Sequence, residues 1–194
     1  MATMTRIALL ADTHSTSFDD GLGPEVASYL EGVDLIVHAG DVYASSVLDW
    51  LETFAEVVVA RGNGDETLGH DHRVADTQVI DCDGLSLGIV HCFEYPPSSP
   101  YSLGQHIHDT FGRDVDVVVF GDTHSPVFAR HGSTLIVNPG SPTMPLTRLG
   151  APGTMALLDA NGGPPRAQLI QLQEPILLKR LGYREPWVLP PRSG

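Results

Sequence analysis

Cysteine is scarce in this chain, in which only Cys82 and Cys92 occur among 194 residues. One pair of thiols cannot define a disulfide framework, and a chain of this length can bury a core that needs no covalent cross-link. The sequence therefore excludes a small secreted scaffold held together by disulfides. A reducing, cytoplasmic setting is expected.

Basic residues are also few, since 11 Lys and Arg face 24 Asp and Glu and give a formal net charge of −13. An evenly acidic surface repels the phosphate backbone, so binding to long nucleic acid is not expected. The acid excess has a second interpretation. Carboxylates that bind metal ions are counted as negative here, and bound cations would offset part of that charge.

Long apolar runs are absent as well. The apolar run near the N-terminus, at residues 7–11, is too short for a signal sequence or a membrane span, and no later stretch reaches spanning length. We therefore expect a soluble protein that does not enter a membrane. The length favours one domain at residues 1–173, with a proline-containing tail at 174–194 that packs on the surface or is partly mobile.

Short apolar strands alternate with helices in the first half of the chain. Strands are predicted at 7–11, 35–38 and 57–60, and helices at 24–31 and 44–54, which indicates a parallel sheet. Asp83-Gly84 predicts a hairpin between 77–82 and 85–91. A helix at 103–111 and a strand at 115–120 follow, and then four strands expected to be antiparallel, at 127–130, 134–137, 155–158 and 167–172. The prediction is an α/β fold with a mixed sheet, or with two sheets packed face to face between helices.

Polar residues that can bind metals follow five of these strands. Strand ends in α/β sheets commonly carry functional sites, so residues far apart in sequence are expected to share one rim. An Asp-x-His segment in extended conformation would place both side chains on the same side of the chain. The residues concerned are Asp12 and His14, Asp41, Asn63, His91, and Asp122 and His124.

Carboxylate, amide and imidazole ligands together suit divalent metals such as Mn²⁺, Fe²⁺, Zn²⁺ or Mg²⁺. Two such ions about 3.5–4 Å apart can activate water and bind both the attacking and the leaving oxygen of a phosphoryl transfer. Cys92 follows His91, and a metal or redox role is conceivable there. A small buried hydrophobic residue is the preferred interpretation.

Six short motifs follow one another in order along nearly the whole chain. They are Asp12-Thr13-His14, His38-Ala39-Gly40-Asp41, Arg61-Gly62-Asn63-Gly64-Asp65, Val90-His91, Gly121-Asp122-Thr123-His124 and Asn138-Pro139-Gly140-Ser141. Together they resemble the motifs of the calcineurin-like metallophosphoesterase superfamily and in particular its small YfcE-like phosphodiesterase branch. The resemblance implies a two-sheet α/β sandwich flanked by helices.

The resemblance also implies a role for each ligand. Asp12, His14 and His124 would hold a first metal ion, and Asp41 would bridge it to a second. Asn63 and His91 would hold that second ion, together with the residue at position 122. The catalytic residues implied are Asp41, Asn63 and His14. The expected cofactors are two divalent ions, Mn²⁺ first, with Fe²⁺, Zn²⁺, Ni²⁺ or Mg²⁺ as alternatives.

Two positions depart from the pattern of the family. Asp122 stands where the family has a second-metal His, and a carboxylate there should shift preference from Zn²⁺ toward Mn²⁺ or Mg²⁺. Gly64 follows Asn63 where many members have a His that protonates the leaving group. Esters with good leaving groups should therefore react best. His38 is predicted to be buried and hydrogen-bonded rather than a ligand.

The implied function is a metal-dependent hydrolase of small phosphodiesters. A phosphomonoesterase is the alternative among enzymes. A catalytically weak protein-binding scaffold is the alternative from another class, because a eukaryotic coat subunit of this fold has lost key ligands. Small members of the family are often dimers, so a homodimer is one expected assembly.

Overall fold

The computed structural model describes residues 4–16, 22–98, 102–145, 152–161 and 163–173. The predicted tail at 174–194 lies outside the described residues. Within them, the strands are β1 (Thr5–Leu10), β2 (Leu35–His38), β3 (Glu56–Ala60), β4 (Val74–Ala75), β5 (Thr77–Cys82), β6 (Leu85–Val90), β7 (Val117–Val119), β8 (Val127–His131), β9 (Thr134–Asn138), β10 (Thr154–Ala160) and β11 (Arg166–Gln171). The helices are α1 (Gly23–Leu30), α2 (Ser45–Glu52) and α3 (Leu103–Phe111).

The first sheet contains six strands in the order β11-β10-β1-β2-β3-β4. Its strands β1, β2 and β3 are parallel, as their continuous apolar sequences predict, and α1 and α2 make the crossovers between them. α1 begins with Pro24 in its first turn, which fits because an N–H group there has no partner within the helix. β10 closes the other side of β1 in antiparallel pairing.

The second sheet contains five strands in the order β5-β6-β7-β9-β8. β5 and β6 form the predicted hairpin, and Asp83 and Gly84 both have positive φ in its two-residue turn, at 45° and 78°. The prediction that all strands after 127 are antiparallel is wrong for β9. It pairs antiparallel with β8 but parallel with β7, because the hairpin leaves its other edge free to extend the sheet beside β7.

Apolar side chains form three layers of core. Between the two sheets lie side chains such as Ile7, Leu9, Leu87 and Val119, all fully buried. α1 and α2 cover the outer face of the first sheet, and α3 covers the outer face of the second. The predicted two-sheet sandwich flanked by helices is thus confirmed. No helix in the described part of the chain is long and apolar enough to cross a membrane.

The sandwich brings the carboxyl ends of parallel strands from both sheets to one edge. The Gly121 N–H after β7 donates to the carbonyl of His91 after β6, at 2.9 Å, within the second sheet. The Asp122 N–H then donates to Asp12 Oδ1 after β1, at 3.1 Å, and so joins the loops of the two sheets. The loops that carry the predicted ligands therefore contact one another across the sandwich.

Candidate metal centre

All seven predicted metal ligands lie together at this edge. Three groups of side chains have ligand atoms within 4.8 Å of one another, and the first two groups share Asp12. Asn63 joins through its Oδ1, which is 3.0 Å from His91 Nε2. The groups are Asp12, His14 and His124; Asp12, Asp41 and His91; and His91, Cys92 and Asp122.

The first group presents two imidazole nitrogens to the same point. His14 Nε2 and His124 Nε2 are 3.0 Å apart. His124 Nδ1 donates to the carbonyl of Met144 at 2.6 Å, so its Nε2 carries a lone pair in the neutral ring. Burial, and then the neighbouring His124, lower the pKa of His14, which favours its neutral form. Two imidazole nitrogens therefore face one point that a metal ion could occupy.

The second group, together with Asn63, brings three hydrogen-bond acceptors close to one another. His91 Nδ1 donates to the carbonyl of Ala39 at 2.7 Å, so in the neutral ring Nε2 has no proton. That nitrogen faces the Asn63 Oδ1 at 3.0 Å and the Asp41 Oδ1 at 3.6 Å. Because three electron-rich atoms converge without a donor between them, this arrangement fits a cation.

Asp12 supplies the strongest local reason to expect a cation. Its side chain is fully buried, and its Oδ2 has no hydrogen-bond partner among the described residues. Burial, together with nearby Asp41 and Asp122 and against the opposing effect of His91, raises the pKa of Asp12 to about 7. A buried carboxylate with a free oxygen is unfavourable unless a positive charge compensates it. The residues present therefore fit divalent metal ions.

Asp122 and Cys92 form the third group together with His91. The Asp122 side chain is 49% exposed, and its Oδ1 lies 3.8 Å from His91 Nε2. The prediction that Cys92 is a buried hydrophobic residue is wrong, since this residue is exposed. Partial desolvation, followed by the charge of Asp122 and a hydrogen bond with it, raises the pKa of the Cys92 thiol to about 11.

Most of the predicted ligand residues have left-handed backbone conformation, and not the extended conformation, at the points where their side chains come together. Asp12 and His14 have φ of 53° and 45°, and Asp122 and His124 have φ of 68° and 55°. Asp41 has φ of 57°. The expectation of an extended Asp-x-His segment is therefore wrong, although the side chains do meet. Such conformations are unfavourable for residues with a Cβ, and the surrounding contacts must hold them in place.

Asp65 provides several of these contacts through a single carboxylate. Its carboxylate is fully buried and accepts four backbone N–H groups at 2.8–2.9 Å. The donors are Asp41, Val42, Tyr43 and Gly62. Asp65 thereby joins the loop after β2 to the loop after β3. Sequence reasoning gave Asp65 no firm role, although an Asp in a glycine-rich turn commonly accepts backbone N–H groups.

Close packing between the same two loops requires small residues. Gly40 has φ of 92°, and a Cβ at that position would lie 2.6 Å from His91 Nδ1 and 2.7 Å from the Gly62 N atom. A side chain there would be strained and would also displace a predicted ligand. The glycines in the motifs thus set how closely the loops approach each other.

The Asn138-Pro139-Gly140-Ser141 segment braces the first group from the other side. Asn138 Nδ2 donates to the Gly121 carbonyl at 2.8 Å and to Thr123 Oγ1 at 3.1 Å. Ser141 Oγ donates to the Asp12 carbonyl at 2.7 Å. These bonds fix the backbone on both sides of the Asp12 and Asp122 side chains.

His38 is buried and hydrogen-bonded, as predicted. Its Nδ1 accepts the Gly40 N–H at 3.2 Å, so the proton lies on Nε2, which donates to Thr13 Oγ1 at 3.2 Å. Complete burial lowers the pKa of His38 to about 3. The ring supports the site as a neutral hydrogen-bonding group.

Replacing Asp65 by Asn should destabilise the fold. The amide has one acceptor oxygen instead of two, and its NH₂ group would face backbone N–H donors. We expect a loss of about 2–4 kcal/mol in the free energy of unfolding, measured by urea denaturation. The matched control is Asp76→Asn, an exposed partner of Arg61 at 2.9 Å, which should cost less than about 1 kcal/mol. Equal losses in the two variants would contradict this account.

His38 should make the metal-free protein sensitive to acid. Below pH 6.5 the unfolded chain takes up a proton at this position, whereas the folded chain does not until pH about 3. The unfolded state then binds more protons, so the free energy of unfolding falls as the pH is lowered between these values. In His38→Gln the fall should be shallower than in the wild type, whereas the exposed control His72→Gln should follow the wild type. Parallel pH curves for His38→Gln and the wild type would refute this role.

Comparison with known proteins agrees with this geometry. The family model described as "Calcineurin-like phosphoesterase superfamily domain" matches residues 5–163 of this chain. A probable metallophosphoesterase of Methanothermobacter thermautotrophicus is 29% identical over 92% of this chain and 98% of its own. A phosphodiesterase of Methanocaldococcus jannaschii is 24% identical over 79% of this chain and 92% of its own.

Solved structures share the fold at lower identity. Wild-type Vps29 from Entamoeba histolytica, complexed with zinc, superimposes with a TM-score of 0.64 at 22% identity, over 86% of this chain and 99% of that one. The motifs, the sandwich and the family match lead to one conclusion: this chain belongs to the calcineurin-like phosphoesterase superfamily.

Proposed function

We propose that this protein is a phosphoesterase that uses two divalent metal ions and acts mainly on small phosphodiesters. The observation that carries the proposal is the position of Asp41. Its Oδ2 lies 3.7 Å from His14 Nε2 in the first group, and its Oδ1 lies 3.6 Å from His91 Nε2 in the second. One carboxylate thus faces both groups, as a residue that bridges two cations must.

The ligands divide between two ions as the motifs indicate. Asp12, His14 and His124 would hold the first, and Asn63, His91 and Asp122 the second, with Asp41 between them. Bound divalent ions would supply a Lewis acid that lowers the pKa of water and stabilises negative charge on phosphate oxygens. Mn²⁺ is the proposed metal, because four of the seven ligands are oxygen donors.

The protein itself contributes position and protonation state. Asp65 fixes the backbone at Asp41 and Gly62 with 2.8–2.9 Å hydrogen bonds, and the Gly64 N–H donates to Asp41 Oδ1 at 2.7 Å. Met144 and Ala39 carbonyls hold the protons of His124 and His91 on Nδ1, away from the centre. These contacts prepare the site before substrate arrives, which lowers the reorganisation needed in the reaction.

A preference for diesters is supported by one relative and by charge. The Methanocaldococcus jannaschii relative is named a phosphodiesterase. A diester carries one negative charge and a monoester up to two, and the net charge of −13 repels the monoester more strongly. A phosphomonoesterase is the alternative within the same chemistry.

A protein-binding scaffold is the second candidate function, and the similarity to Vps29 supports it. Metal binding alone does not separate the two candidates, because an Entamoeba histolytica Vps29 structure contains zinc. Turnover does separate them. The fully assembled ligand set, with an unpartnered oxygen on buried Asp12, favours the enzyme.

The first test is hydrolysis of bis-p-nitrophenyl phosphate and p-nitrophenyl phosphate by chelator-stripped protein, before and after addition of Mn²⁺. We expect Mn²⁺-dependent cleavage that is faster for the diester. Asp41→Asn should lower kcat by about 100-fold or more, because it removes the bridging charge. The matched control Asp109→Asn, at an exposed position on α3, should retain wild-type rates.

Each outcome of this assay separates the candidates. Metal binding without cleavage of either ester would refute the enzyme and support the scaffold. Faster cleavage of the monoester would replace the diester preference with a phosphomonoesterase.

Asp122→His should change the metal preference. An imidazole in place of a carboxylate makes the second site softer, so we expect the ratio of zinc to manganese affinity to rise by about 10-fold. The measurement is competition between the two ions for stripped protein, read by elemental analysis. Asp122→Asn keeps an oxygen donor and is the control, with no shift toward zinc expected. An unchanged ratio in Asp122→His would count against Asp122 as a ligand.

A further inference from the structure

Tyr43 lies against the centre, beside His14, but belongs to none of the three ligand groups. It occupies the loop after β2, two residues beyond Asp41, with φ of 87°. A left-handed conformation is unusual for an aromatic residue and costs free energy. Two hydrogen bonds of 2.9 Å hold it there, from the Tyr43 N–H to Asp65 Oδ1 and from Thr67 Oγ1 to the Tyr43 carbonyl.

The ring of Tyr43 packs against His14 and against Gly64. On one side it meets the His14 ring edge to face, with centroids 4.7 Å apart and planes at 87°. On the other side it covers Gly64, the residue that follows Asn63. A Cβ at position 64 would overlap Tyr43 Cε1 and would lie 3.0 Å from Cζ. The ring therefore fills the space that a side chain at position 64 would need.

The hydroxyl of Tyr43 is a hydrogen-bond donor at the centre that is not one of the proposed metal ligands. It is bonded to Cζ, the ring atom 3.0 Å from the position that a Cβ of residue 64 would occupy. Within the part of the chain that the structure describes, it has no hydrogen-bond partner. A tyrosine hydroxyl carries its proton at neutral pH, so it can donate a hydrogen bond.

We propose that the Tyr43 hydroxyl donates a hydrogen bond to the leaving-group oxygen of the substrate. This inference rests on the proposed function. His91 and His124 hold a proton on Nδ1, in hydrogen bonds to the Ala39 and Met144 carbonyls, so in the neutral rings their Nε2 atoms are not donors at the centre. Negative charge develops on the leaving oxygen as the P–O bond breaks, and a fixed neutral donor stabilises that charge. The hydrogen bond matters more for poorer leaving groups, which develop more charge.

Tyr43→Phe tests the proposal through the dependence of rate on the leaving group. The substrates are bis-p-nitrophenyl phosphate, with a good leaving group, and diphenyl phosphate, with a poorer one. With Mn²⁺ present, kcat for diphenyl phosphate should fall by about 10-fold or more, whereas kcat for the nitrophenyl diester should fall less than about 3-fold. Tyr29→Phe, a partly buried tyrosine on α1, is the matched control and should leave the ratio of the two rates unchanged.

Gly64→Ala provides a second test of the role of Tyr43. The added methyl group must displace the Tyr43 ring, so this variant should show the same selective loss on diphenyl phosphate. Manganese content is measured for every variant, so that loss of metal is distinguished from loss of the donor.

An equal fall on both esters, or no fall on either, in Tyr43→Phe with full manganese content would overturn the role of Tyr43 and leave the proposed function intact. Failure of the wild type to cleave either ester would overturn both.

Discussion

The carboxylate of Asp65 is the interaction on which the rest of the centre depends. It accepts four backbone N–H groups from the loops after β2 and β3, in a place that water does not reach. These loops carry Asp41 and Asn63, which come from separate strands and have no covalent reason to meet. A single buried anion thus converts the ends of two strands into one rigid support.

The backbone at the centre is strained, and this strain is the reason that the supporting hydrogen bonds are needed. The non-glycine residues with positive φ include Asp12, His14, Asp41, Asp122 and His124, all proposed ligands. An isolated loop would relax away from such conformations, so the hydrogen bonds from Asn138, Ser141 and Asp65 maintain them. Free energy that could have stabilised the fold is used instead to hold the proposed ligands in place, as is common at functional sites.

The fold was largely predictable because its signals are local. Apolar strands such as 35–38, the Asp83-Gly84 turn and the ordered motifs each depend on neighbouring residues. Pairing between distant strands is not local, so the parallel partner of β9 was missed. That the predicted ligands lie together was expected, but the left-handed backbone that orients them was not, because sequence spacing does not report dihedral angles.

Other parts of the site depend on contacts that no motif encodes. The exposure of Cys92 and the position of Tyr43 over Gly64 follow from how loops of different strands approach one another. Three of the four hydrogen bonds of Asp65 join segments more than twenty residues apart. Single-sequence reasoning identifies residue types suited to a site, but it does not show which distant backbone groups they meet.

The contact between the loops of the two sheets has a consequence for stability. Asp12 and Asp41 follow strands of one sheet, whereas His91 and Asp122 follow strands of the other. A cation bound by both pairs would connect the two sheets, so metal binding and the packing of one sheet on the other would be thermodynamically linked. A substitution deep between the sheets would then weaken metal affinity without touching a ligand, and metal depletion would loosen a core that contains no metal.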